Sequence, residues 1–235
     1  MLQAPFLKGI ELSEVFYREQ VRPILDAHFP DLNHAAGRLG AGSDVLGFDT
    51  PQSRDHHWGP RVTLFVDEAD YPQRGEVIHT LSHELPTECC GYPTNFDDPE
   101  SGEAQMVPSE SGPIRHGVKV TTAARFFTEY VGFDPMARSI DYGDWLAVPA
   151  QRLATIERGA IFHDGLGTLE TARERLRWYP HDVWLYLLAC QWRKIDQEEP
   201  FMARAGDAGS ELGSELIAAR QVIELMRLCF LMERQ

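Results

Sequence analysis

The sequence predicts an α+β fold, and three observations carry that expectation. Arg61-Val62-Thr63-Leu64-Phe65-Val66 is an apolar, β-branched run and the clearest strand in the chain. Residues 11–28 and 73–85 instead space their apolar side chains at about 3.6 residues, as helices do. From about residue 145 the pattern turns almost wholly helical. The expected organisation is therefore an α/β core over residues 1–144 and a bundle-like helical half over residues 145–235.

The first helix places Leu12, Val15, Phe16, Ile24 and Leu25 on one face, and Pro23 should kink or divide it. Ala35–Leu39 is short, rich in small residues, and reads as an edge strand. Gly40-Ala41-Gly42-Ser43 then forces a turn, and a long loop leads to the strand at Arg61. The helix at 73–85 directs Val77, Ile78, Leu81 and Leu85 to one side. Residues 91–113 are dense in Gly, Pro, Asp and Ser and read as a loop. Gly117–Thr121 is a second strand candidate, followed by a helix to Tyr130, and together these strands imply a small mixed sheet.

In the second half, Leu169–Tyr179 is amphipathic and ends at Pro180. Asp182–Ile195 carries Val183, Trp184, Leu187, Leu188, Trp192 and Ile195 on a broad face. Ser210 is the expected N-cap of a last helix. Its apolar stripe is Leu212, Leu216, Ala219, Ile223, Met226 and Phe230, spaced four, three, four, three, four. That helix meets no stop signal before Gln235, as in a chain cut from a longer protein.

Composition limits the partners. The formal net charge is -14, and no Lys/Arg cluster is segregated from it, which disfavours a nucleic-acid polymer and favours a small-molecule substrate. No apolar run approaches the roughly 20 residues that span a bilayer, so no membrane partner is expected. The N-terminus lacks the pattern of a signal peptide, which makes a cytoplasmic location the expectation. Of the four cysteines, Cys89 and Cys90 are adjacent and Cys190 and Cys229 distant, unlike a disulfide framework.

One segment carries chemistry. Between Leu39 and Trp58 lie Gly42-Ser43, then Gly47, then Asp55 and His57. A Gly-Ser turn opening a helix leaves backbone N–H groups directed at an anion, and glycine removes the Cβ that would block its approach. Gly42 and Ser43 are thus the candidate phosphate cradle. An acidic residue with a second ligand two positions on shares one face of an extended segment and can hold a divalent cation. Asp55 and His57 are the candidate metal ligands and catalytic pair, though Asp55 also reads as a turn aspartate and His57 as a structural histidine.

The spacing resembles the signature of the nucleotidyltransferase superfamily, the DNA-polymerase-β-like fold. The longer strings Gly42–Thr50 and Asp55–Arg61 resemble the bacterial family called domain of unknown function 4037. So do Asp144-Trp145-Leu146, Phe162-His163-Asp164 and Trp178–Trp184. The resemblance implies a nucleotidyltransferase-like core, with ATP or another nucleoside triphosphate as substrate, Mg²⁺ or Mn²⁺ as cofactor, and an unidentified small-molecule acceptor. The chain departs from that pattern twice. His57 stands where the superfamily has a second carboxylate, and Gly117–Thr121 contains no Asp or Glu to serve as the third. Three consequences stay open: a different metal, a metal held by Asp55 alone, or a core that binds nucleotide or a partner protein without efficient transfer. Asp49 reads as a turn cap or as a residue orienting Ser43. His79 and His83 have metal-ligand spacing on one helix face, but the segment lacks the glutamate of a zinc peptidase motif and the adjacent Cys89 and Cys90 make joint ligation awkward, so surface imidazoles and buried thiols are the favoured reading.

Overall fold

The structure, a computed structural model, describes residues 6–55, 58–97 and 104–234, with Asp55 described by its backbone alone. It is α+β and forms two compact units, Met1–Arg177 and Trp178–Gln235.

In the first unit the opening helix is divided at the place where proline interferes. Helix α1 (Gly9–Phe16) passes into a π-turn (Tyr17–Val21) and then α2 (Arg22–His28). Pro23 has no N–H for the carbonyl four residues back, and the ladder shifts register so that Arg22 N donates to Tyr17 O. Strand β1 (His34–Arg38) follows, and after the long loop β2 (Arg61–Val66) returns antiparallel to it. A 3₁₀ turn (Tyr71–Gln73) leads into α3 (Arg74–Glu84), whose Val77 and Leu81 are buried while Ile78 faces solvent. A small hairpin, β3 (Glu88–Cys89) with β4 (Tyr92–Pro93), turns at Cys90-Gly91, both with positive φ. Strand β5 (Gly117–Thr121) then runs parallel to β2, the crossover being α3 and this loop. Helix α4 (Ala123–Val131) is capped by Thr122, whose hydroxyl accepts from Arg125 N, and ends on Gly132.

Residues 145–177, which the sequence groups with the helical half, supply α6 (Ala150–Glu157), strand β6 (Ala160–Asp164) and α7 (Thr168–Leu176) of the first unit, after α5 (Tyr142–Ala147). Strand β6 completes a four-stranded mixed sheet ordered β5-β2-β1-β6. The edge-strand expectation for the small-residue segment is thereby corrected. β1 lies inside the sheet, antiparallel to both neighbours, with a register shift between Ala36 and Gly37 on the β6 side. One face of the sheet, Ala36, Val62, Leu64, Val66, Val118 and Val120, joins Leu12, Phe16, Leu25 and Leu81 in a continuous core. On the other, Phe65 packs edge-on to Phe126 of α4.

The second unit is a helical hairpin of α8 (His181–Asp207) and α9 (Glu211–Glu233), with Ser210 accepting from Gly213 N as the expected cap. Helix α8 continues through Pro200, well past the end expected near Ile195. No helix among the described residues is long and apolar enough to cross a membrane.

Two histidines inside this fold are shifted toward the neutral form. His34 hydrogen-bonds Leu32 O through Nδ1 at 3.2 Å, so its Nε2 accepts from the Tyr17 hydroxyl at 2.9 Å. His116 accepts from Val118 N through Nδ1 at 3.2 Å and donates from Nε2 to Ile78 O at 3.0 Å. Burial, the leading cause in both, holds each imidazole below its ordinary pKa. The unfolded chain therefore binds more protons than the native one once pH drops through about 6.5. Stability should be full above that value and decline below it, by at most about 1.4 kcal/mol per pH unit for each histidine. Urea titrations at pH 7.5 and 5.5 check this, and replacing both histidines with glutamine should flatten the difference.

Candidate functional site

The Gly-Ser segment leaves the end of β1, an interior strand, which fixes its position in the fold. Residues 43–47 form consecutive turns in place of the expected helix, closed by Phe48 N to Ser43 O at 2.9 Å and Gly47 N to Asp44 O at 3.1 Å. Beneath them Arg38, the last residue of β1, makes a two-pronged bond to Asp44. Its Nε donates to Oδ2 at 2.7 Å and its Nη2 to Oδ1 at 3.0 Å, with a further bond from Nη2 to Ala41 O at 3.0 Å. Both side chains are almost wholly buried. This pair explains Gly42. Its φ is +152°, and a Cβ there would collide with the Asp44 carboxylate and the Arg38 guanidinium.

Ser43 sits on the turn, exposed. Among the described residues, nothing accepts from the backbone amides of Ser43, Asp44 or Val45. Arg61, at the start of β2, shares the environment of Arg38 and Asp44. Burial first, and the Arg38 charge second, hold its guanidinium below the ordinary arginine value, with Asp44 opposing them.

The far end of the loop is anchored by Asp49. Its Oδ2 accepts from Gly9 N at 2.7 Å, the first amide of α1, and from Trp58 Nε1 at 3.1 Å. Lys8 Nζ lies 3.3 Å from Oδ1 and donates to Asp49 O at 2.6 Å. Asp49 thus caps a helix 40 residues away and does not orient Ser43. Trp58 is a buried core side chain, stacked on Phe6 and edge-on to Tyr92.

Asp55 closes the 3₁₀ turn Pro51–Asp55. Its side chain and all of His57, the expected metal ligands, lie outside the described residues. His79 and His83 do stand together on α3, with ring centroids 4.3 Å apart, but His83 Nδ1 bonds His79 O. Cys89 is buried, its thiol pushed up to about 12 mainly by burial, and Cys90 is exposed in the hairpin turn. No group of three or more metal-ligating side chains occurs among the described residues. A cavity of about 290 Å³ opens beside Leu32, at the opposite end of β1 from Gly42; Asp31, Asp70 and Glu76 line it. Its carboxylates repel a phosphate, so it does not compete for the role of the Gly-Ser turn.

Fold and turn together define an α+β protein in which a glycine-lined turn, held by a buried ion pair, caps an interior strand. Residues 145–235 match the family model described as "Domain of unknown function (DUF4037)", which supports that family for this chain. The match begins at α5 and takes in β6, α7 and the whole hairpin, and it does not extend to the Gly-Ser turn. No curated protein and no solved structure matches the chain.

Proposed function

We propose that the protein is a nucleotidyltransferase-like enzyme that transfers a nucleoside monophosphate from a nucleoside triphosphate to a small-molecule acceptor. The observation that supports this reading is the Gly42-Ser43 turn, with three unpaired amides and a backbone held from beneath by the buried Arg38–Asp44 pair. Such a turn suits the β- and γ-phosphates: the backbone amides and the Ser43 hydroxyl donate to them, and glycine lets them approach closely.

Asp55 and His57 are the residues that would hold the divalent cation. One carboxylate and one imidazole are a poorer set for Mg²⁺, which favours oxygen, than for Mn²⁺. When bound, the cation offsets charge developing on the transferred group and on the departing pyrophosphate. With water standing in for the acceptor, the purified protein is expected to convert ATP or another nucleoside triphosphate slowly to the monophosphate and pyrophosphate, faster with Mn²⁺ than with Mg²⁺. Asp55→Ala should abolish release while leaving the unfolding transition in place.

A second reading, a nucleotide-binding or protein-interaction module of the same fold, is favoured by one observation. Strand β5 pairs with β2 yet offers no carboxylate, and Lys119 is its only charged residue. A module of that kind gains thermal stability with nucleotide and releases no pyrophosphate with either metal.

A further inference from the structure

The apolar stripe of α9 is turned away from the helix it is paired with. The side chains of α9 that are buried or half-buried are Ser214, Ile217, Ala218, Gln221, Glu224, Leu228 and Leu231. Their bonds fix that face. Ser214 Oγ donates to Met202 O at 2.9 Å, Gln191 Nε2 to Glu224 Oε2 at 2.8 Å, and Trp184 Nε1 to Leu231 O at 2.7 Å. Three of these seven side chains, Ser214, Gln221 and Glu224, are polar. The outer seam, Leu212, Leu216, Ala219, Ile223, Met226 and Phe230, is wholly apolar, and its five large members are 50 to 68% exposed.

We propose that this outer seam pairs in parallel with the same seam of a second copy of the chain. Its four-three spacing is the a/d repeat of a left-handed coiled coil, sustained over about 27 Å of helix. Leu216, Ile223 and Phe230 take the a positions, and Leu212, Ala219 and Met226 the d positions. The flanking charges select the direction. In a parallel pair each g residue faces the e residue five places on in the partner, which sets Glu215 against the partner's Arg220 twice over. An antiparallel pair sets e against e, and Arg220 then meets another arginine. Arg220 is more than half exposed and bonds Glu198 through Nε at 3.0 Å, so its outer edge still faces solvent.

The area is sufficient. The five large side chains are 50 to 68% exposed, roughly 100 Å² each, so covering them fully buries about 500 Å² per copy. The pair buries about 1,000 Å² in total, where specific interfaces begin, before Val222 and the charged flanks are added.

The test is sedimentation velocity on the full chain across the micromolar range. The wild-type chain is expected to sediment as a dimer. Ile223→Glu with Met226→Glu should give a monomer of unchanged helicity, and Glu215→Arg should weaken association at least tenfold. With the exposed Cys90, Cys190 and Cys229 changed to serine, Met226→Cys should form an interchain disulfide on mild oxidation, since d faces d only in a parallel pair. A monomeric wild-type chain, or a dimer indifferent to charges at 223 and 226, overturns the proposal. A dimer that those charges disrupt but that never cross-links through residue 226 overturns the parallel pairing.

Discussion

Replacing Asp44 with alanine is expected to cost about 3–5 kcal/mol of folding stability, the loss seen when one member of a buried ion pair is removed. Arg38 is then left with a single bond, to Ala41 O, and a charge that water does not reach. The cost is the price of that stranded guanidinium rather than the worth of the pair, so a second variant separates the two. Arg38→Met with Asp44→Leu removes both charges and should recover most of the loss in denaturant titrations. If Asp44→Ala costs under 1 kcal/mol, the pair is not holding the turn.

The strands and helices that satisfy their patterns locally were legible. Arg61–Val66 alternates core-facing Val62, Leu64 and Val66, and Ser210 caps α9 with its own hydroxyl. What escaped depends on distant partners. Strand β6 has side chains half-buried throughout, so it shows no alternation, and without it β1 reads as an edge. Helix α8 crosses Pro200 because a hairpin partner supports it on the inner side. The stripe of α9 was visible, but the inner seam was not, because polar residues sit in it: Glu224 is buried by its bonds from Gln191 and Lys194, and Gln221 is buried beside it. At the site, Gly42 announced itself through its type. Arg38–Asp44, six residues apart across a turn, follows no helical or strand period, and the partner of Asp49 lies 40 residues upstream.

Asp49→Ala is expected to cost about 2–6 kcal/mol, from two buried donors left without an acceptor at roughly 1–3 kcal/mol each. Gly9 N opens α1 and Trp58 Nε1 lies in the core, and neither is reached by solvent. No other side chain can slide in. A Cβ on Gly9 would already press on Asp44 Cβ and Trp58 Nε1, at 2.7 and 2.8 Å. Asp49→Asn keeps an acceptor oxygen and should recover part of the loss, limited by the missing charge opposite Lys8. The pH dependence gives an independent check. Burial alone raises the carboxyl pKa, but the bonds from Gly9, Trp58 and Lys8 outweigh it, and the net shift is downward. A carboxylate with a depressed pKa contributes stability that is present above its unfolded value near 3.9 and lost as pH falls through the folded one. The gap between wild type and Asp49→Ala should therefore be widest near neutrality and narrow below about pH 4. A gap independent of pH would mean that Asp49 fills space at this junction, and that Lys8 and the start of α1 are held there by packing alone.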